Sequence, residues 1–338
     1  MSLLRSLFIA LSGNKVVRDW AERSRVGRRL ASRFVAGMTV EEAVAACERV
    51  NREGIAVSLD SLGESVSAET EAHAAAEIYH RLLNAIAERK LNANVSLKLS
   101  QMGMDIKGPG NSEPEKREAG NKQQGTGGPR AFGLELAEGI VAEVVSHAAR
   151  VGSFVRIDME GSAYTEATMA MTERLHIRFK GSVGTVLQSY LYRTEADVER
   201  LLSEGIRIRL CKGAYQEGPE VAFPAKADVD ANYVKLMKRM ATFSGGEGEG
   251  VFCGIATHDE AIVEEMRRFV REQGVAKSAF EFQMLYGVRR DLQRRLAAED
   301  YGVRVYIPFG TAWYPYFMRR LAERPANVVF LARNYFRN

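Results

Sequence analysis

Tyr316, Arg319, Arg320 and Glu323 fall at i, i+3, i+4 and i+7 of a stretch with helical periodicity, which puts all four on one face. Two adjacent guanidiniums there form a fork that grips a carboxylate or phosphate bidentately. Glu323 is within reach of both and would lock one in place. A solvated i,i+4 ion pair on a surface helix is the plain alternative for this spacing. The neighbourhood counts against it. A short apolar strand carrying Val303, Val305 and Ile307 ends in Pro308-Phe309-Gly310 just before the helix, so the face lies at a strand-to-helix junction.

Further polar side chains stand where other short apolar runs end: Lys98, Asp158, Gln188, Arg209, Lys212, His258, Gln283 and Tyr306. Charge inside a strand is costly unless it is paired or used. Arg207 and Arg209 alternate with Ile206, Ile208 and Leu210, so both arginines share one side of their strand. An internal ion pair, Asp158 with an arginine for instance, would account for any single member. Eight such ends converging on one place make a site.

The elements that must position them follow from periodicity. The stretch to about Arg52 reads as helical throughout, with Thr39-Val40-Glu41-Glu42 capping its last helix. Short strands follow at 55–59, 95–99, 154–158, 184–188, 206–210, 251–255, 280–284 and 303–306. Helical segments separate them; that from Glu71 to Arg89 carries Ala75, Tyr79, Leu82 and Ile86 on one face. About eight β/α units are the count of a closed (β/α)8 barrel of the TIM type, in which strand C-termini converge on one pocket. An open doubly wound sheet is the alternative, but no G-x-G-x-x-G follows the first strand. The expected division is a helical arm over 1–53 and a barrel over 54–338. Residues 107–130 are rich in glycine, glutamate and glutamine and read as a flexible loop after the second strand, a floppy insertion or a lid.

Composition narrows the function. The chain has 338 residues, 46% hydrophobic and 27% charged, with a net charge of +4, as expected of a soluble globular protein. It lacks the basic stripe interleaved with aromatics that nucleic-acid binding calls for. Three cysteines form no disulfide framework, and five histidines have no metal-ligand spacing, so no metal is expected. Leu3 to Leu11 is apolar and arginine-flanked like a targeting peptide, but Arg5 interrupts it and no small-residue cleavage site follows. It reads as an amphipathic arm. No run is long enough to span a bilayer. The polar set holds no G-x-S-x-G, reactive cysteine or carboxylate pair. A cationic pocket of this kind suits an anionic ligand and a cofactor that carries the chemistry. Lys98 as a Schiff-base nucleophile of an aldolase stays open.

Arg209-Leu-Cys-Lys-Gly-Ala-Tyr215-Gln-Glu217, Ala256-Thr-His258-Asp259, Glu281-Phe-Gln-Met-Leu-Tyr-Gly287 and Tyr316-x-x-Arg319-Arg320-x-x-Glu323 together resemble the signature blocks of the proline dehydrogenase family, in order and spacing. The resemblance runs from the N-terminal helices to about Asn334. With no aldehyde dehydrogenase module following, it is to the monofunctional bacterial enzymes. It implies a distorted barrel whose last helix caps the pocket, noncovalent FAD, and oxidation of L-proline to Δ1-pyrroline-5-carboxylate with electrons passed to a membrane quinone. It also implies a cytoplasmic protein with room for peripheral contact at the inner membrane, and no dedicated protein partner.

Carried over residue by residue, the resemblance puts Arg319 and Arg320 on the proline carboxylate, braced by Glu323 on the face that Tyr316 opens. Lys98 lies near carboxylate and flavin. Tyr215, Leu285 and Tyr306 wall the ring, and Asp158 hydrogen-bonds within that shell. Arg209 sits by flavin N5, with Gln188, Lys212, Gly213, Ala214, Thr257 and His258 along the cofactor; FMN would share the ring contacts. No base for the substrate amine is named, and water relayed by Asp158 or Tyr215 is a candidate. Tyr306, where hydroxyproline dehydrogenases carry a smaller residue, favours proline over hydroxyproline. Cys211 and Asp259 depart from the valine and asparagine common in relatives, both small changes.

Overall fold

The computed structural model describes residues 31–63, 66–108, 131–245 and 251–323, together with Arg18, Ala21, Ser24 and Gly27; at 319 and 321–323 the backbone alone is described. The apolar arm at 3–11 and residues 109–130 of the glycine-rich loop lie outside the described residues.

Eight parallel strands close into one barrel in sequence order. They are β1 (Ala56–Ser61), β2 (Ala93–Lys98), β3 (Val155–Asp158), β4 (Val183–Gln188), β5 (Arg207–Cys211), β6 (Cys253–Ala256), β7 (Phe280–Leu285) and β8 (Gly302–Phe309). The helix α1 (Val40–Asn51) leads into β1. After the strands in turn come α2 (Glu69–Glu88), α3 (Ala131–Arg150), α4 (Thr165–Arg178), α5 (Thr194–Ser203), α6 (Lys226–Gly245), α7 (Glu260–Gln273), α8 (Arg290–Ala298) and α9 (Trp313–Glu323). All eight expected strands are present, each shifted by no more than a few residues. No helix among the described residues is long and apolar enough to cross a membrane.

Strand alternation builds two environments. Outward residues such as Val57, Leu59, Val95, Leu97, Ile157, Ile208 and Phe282 are buried against the helices. Each such side chain contributes about 1.5–3 kcal/mol of burial. The inward residues are largely polar. Register brings Ser96, Arg156, Gly184 and Arg207 side by side across β2 to β5, and Arg209, Gly254 and Glu281 across β5 to β7. Two glycines make room for this lining. A Cβ on Gly184 would meet the Arg207 carbonyl oxygen at 2.3 Å, and one on Gly254 the Gln283 amide at 2.4 Å.

The stretch expected to be helical throughout to about Arg52 is interrupted ahead of its capped last helix. Residues 35–39 are not helical, and Gly37 has φ +141. A fresh helix then starts at Thr39, whose Oγ1 accepts from the Glu42 N–H at 3.3 Å while Thr39 N–H donates to Glu42 Oε2 at 3.2 Å. That reciprocal cap is the one expected from the sequence. The helix it starts, α1, packs against both β1 and β8, so it fills the outer ring where the helix after β8 would ordinarily lie. The displaced α9 instead joins a separate apolar cluster: Trp313, Tyr316, Phe317 and Met318 pack with Phe34, Val35 and Val288, against Leu62 and Leu285. Leu62 and Leu285 mark the C-terminal ends of β1 and β7. The last helix therefore covers the C-terminal mouth of the barrel. The Ala36 N–H donates to Pro308 O and the Gly310 N–H to Gly37 O, both at 2.9 Å, fastening the 36–37 segment to the end of β8.

Candidate active site

Two linked networks occupy the C-terminal half of the barrel. Arg209, on β5, donates Nη1 to Asp158 Oδ1 at 2.8 Å and to Ser96 Oγ at 3.3 Å. Its Nη2 reaches Ser58 Oγ at 3.3 Å, and its Nε donates to Gln283 Oε1. Four strands thus hold one guanidinium. Asp158 accepts further from Ser96 Oγ at 2.7 Å and, on its other oxygen, from the Tyr306 hydroxyl at 2.8 Å. The Arg209 guanidinium lies 5.3 Å from the Tyr306 ring centroid, so the phenol is held by its oxygen and on its face. Burial and the carboxylates of Asp158 and Asp60 push the Tyr306 phenol well above its ordinary pKa, so it remains a donor.

The second network holds a lysine. Lys98 Nζ stands 3.2 Å from Asp60 Oδ2, and Asp60 is sealed from solvent. Asp60 also receives the buried Tyr79 hydroxyl from α2 at 3.4 Å. Burial pulls the Lys98 pKa down, but Asp60, Asp158 and Glu160 together outweigh it and the net direction is up. Lys98 is therefore an ammonium at neutral pH. Glu160 behaves oppositely: burial raises its pKa, only partly offset by the Ser100 N–H, which donates to it at 3.0 Å.

On the rim from β4 to β6, Gln188 Nε2 donates to Glu160 O at 2.9 Å. Lys212 Nζ bridges Asp230 at 2.6 Å and Asp259 at 3.0 Å. Thr257 Oγ1 accepts from the Asp259 N–H at 3.1 Å, and His258 Nε2 accepts from the Leu285 N–H at 2.9 Å. Gly213 has φ +116, and a Cβ there would strike the Tyr190 ring at 2.3 Å. Only glycine lets the backbone turn this closely beneath Ala214 and Tyr215. Downstream, the Glu217 carboxylate accepts from the Ser162 N–H at 2.7 Å and the Ser162 hydroxyl at 2.5 Å, tying this loop to the one after β3.

The residues expected from the sequence thus meet at one mouth. Lys98, Asp158, Gln188, Leu285 and Tyr306 sit at or near strand ends; Lys212, Gly213, Ala214, Tyr215, Thr257 and His258 follow β5 and β6; Tyr316 and Arg320 come from α9 above them. The Arg320 guanidinium lies 5.1 Å from the Tyr316 ring centroid. The side chains of Arg319 and Glu323 lie outside the described residues. The sequence reading missed Asp60, Ser58 and Ser96. The signal for Asp60 was available: ending β1 at Leu59 left out the next inward position of the same alternation.

The family model described as proline dehydrogenase matches residues 43–333. The chain is 39% identical over 332 residues to proline dehydrogenase 1 of Bacillus subtilis (strain 168), covering 98% of each chain. It is 39% identical over 327 residues to the proline dehydrogenase of Deinococcus radiodurans, covering 94% of this chain and 96% of that one. Among solved structures, proline utilization A from Bdellovibrio bacteriovorus inactivated by N-propargylglycine superposes with a TM-score of 0.76 at 22% identity. That match covers 95% of this chain and 36% of the other, a likeness of fold. A family match across most of the chain and relatives this similar over their whole length lead to one conclusion: the chain belongs to the proline dehydrogenase family, the enzymes of the first step of proline catabolism.

Proposed function

We propose that the chain oxidises L-proline to Δ1-pyrroline-5-carboxylate by hydride transfer to FAD, and that a membrane quinone takes the electrons onward. The observation that carries this reading is Arg209, a cation fixed from four strands inside the barrel. The β4 to β6 rim fits a nitrogen- and oxygen-rich cofactor: it carries the Gln188 amide, the Arg209 guanidinium, Lys212 held between Asp230 and Asp259, and a backbone turn at Gly213 with no Cβ. Gln188, Arg209, Lys212, Gly213, Ala214, Thr257 and His258 would hold FAD; FMN would share the ring contacts. When bound, the flavin supplies a two-electron acceptor.

The chain's own residues supply orientation and charge. Arg319 and Arg320, with Glu323, clamp the proline carboxylate from α9, and the Lys98 ammonium adds a second positive contact. Tyr215, Leu285 and Tyr306 wall the ring so that the carbon beside nitrogen is presented at near-contact distance. Arg209 is positioned to stabilise negative charge that develops in the transition state, and its fixed partners mean no reorganisation is needed. Proline loses a hydride from carbon and a proton from nitrogen, leaving a C=N bond. Both Asp158 oxygens already accept hydrogen bonds, so the amine proton passes to water relayed by Asp158 or Tyr215. The cationic state of Lys98 counts against an aldolase reading, since an ammonium has no lone pair for a Schiff base.

The test is the visible absorption spectrum of the purified protein before and after anaerobic proline. Flavin bands that bleach with proline, and less with hydroxyproline, are the expected result. A colourless protein that takes up no added FAD would overturn the proposal. Proline binding without bleaching would point to a catalytically silent barrel.

A further inference from the structure

The opposite, N-terminal mouth of the barrel holds a charge imbalance that the reaction does not use. In the upper half, Arg209 and Lys98 are matched by Asp158 and Asp60. In the lower half, among the described residues, three arginines, Arg156, Arg207 and Arg304, share one carboxylate, Glu281. One oxygen of that carboxylate, Oε1, already accepts from Arg304 Nε at 2.5 Å and from Gln283 Nε2 at 2.6 Å.

Arg156 is 4% exposed. Its Nη1 donates to the carbonyl oxygens of Arg207 at 2.5 Å and Thr185 at 2.9 Å, while its Nε is buried with no partner among the described residues. The Arg207 guanidinium rests 5.3 Å from the Phe154 ring centroid, and that of Arg156 lies 4.8 Å from the same centroid. Burial, with the repulsion of neighbouring arginines, pushes both guanidiniums below their ordinary pKa. A guanidinium does not give up its proton at any ordinary pH. Like charges crowded in a low-dielectric interior attract a counter-charge beyond the one that Glu281 supplies among the described residues. Arg207 and Arg304 are only half-buried, so that mouth is open to solvent.

We propose that the N-terminal mouth of the barrel binds a small inorganic anion, of the chloride or phosphate class, between Arg156, Arg207 and Arg304. The anion neutralises the lower half and acts as a structural counter-ion. It takes no part in proline oxidation.

The test compares thermal unfolding of the protein and its Arg207→Gln variant in chloride, phosphate and gluconate at matched ionic strength, gluconate serving as the bulky reference anion. The expected result is a melting temperature higher by about 2–4 °C in chloride or phosphate than in gluconate. That difference should vanish in Arg207→Gln, with turnover of proline unchanged. An equal melting temperature in all three salts, or a difference retained in the variant, would overturn the proposal. Should the variant fail to fold, a wild-type crystal soaked in sodium bromide and measured at the bromine edge decides the matter. Anomalous density beside Arg207 supports the site, and its absence there overturns it.

Discussion

Arg209 and Asp158 meet at 2.8 Å in the middle of the barrel, with 8% and 12% of their side chains exposed. Each is also bound by neutral partners, so the pair belongs to a satisfied network rather than standing as two isolated charges. Breaking a buried pair by removing one partner costs about 3–5 kcal/mol, because the other charge is left uncompensated. Asp158→Asn should lower stability by roughly that amount in denaturant unfolding. It should also lower kcat/KM by about 100-fold, since Arg209 and Tyr306 both lose their anchor.

Tyr306 separates a hydrogen bond from bulk. In Tyr306→Phe, one buried Asp158 oxygen loses its donor at a cost of about 1–3 kcal/mol, while the ring still fills its place. The preference for proline over hydroxyproline should persist. Tyr306→Ser should shift that preference toward hydroxyproline. Steady-state kinetics on the two substrates give the ratio, and an unchanged ratio in the serine variant would remove the steric argument.

Arg320→Met should raise KM for proline sharply while FAD stays bound. A clamp that holds the carboxylate acts alike on ground and transition states, so the loss appears mainly in KM. Flavin content measured alongside KM distinguishes a lost clamp from a collapsed site.

Glu160 sets a pH dependence of known sign. Its pKa in the folded protein lies above the ordinary 4.5 because burial disfavours the anion. The folded state then keeps a proton that the unfolded chain has lost, so stability falls as pH rises from the ordinary value through the raised one. Glu160→Gln lacks this titration. Its stability relative to the parent should climb across that window and level off above it, as read by denaturant midpoints at several pH values. A relative stability that stays flat would show the carboxylate does not titrate so.

Gly213→Ala should destabilise the protein by about 1–3 kcal/mol, because it strains a positive φ and drives a methyl into Tyr190. Flavin retention should fall in the same variant, since the turn beneath Ala214 and Tyr215 would move. Thermal unfolding and the bound-flavin ratio are the two readouts.

Strand alternation made much of this legible in advance. Arg207 and Arg209 share the barrel interior as their spacing requires, and the Thr39 cap starts α1 where expected. The 35–39 break was not legible, because Phe34 to Met38 carry no strong helix-breaking signal beyond Gly37. Their conformation is decided by pairing with Pro308 and Gly310, some 270 residues away in sequence.

The sequence by itself determined the eight strands, the polar character of their inward faces and the family, because periodicity and motif spacing are local properties. It did not determine which charges pair. Whether Asp158 meets Arg209 or Arg207 depends on barrel stagger, and the register that brings Asp60 to Lys98 joins residues 38 positions apart. Nor did it show that α1 occupies the ring position of the last helix; that the last helix caps the pocket was implied by the family resemblance and not by any local pattern. Those outcomes depend on long-range packing, in which a side chain's partner is set by how the whole barrel closes.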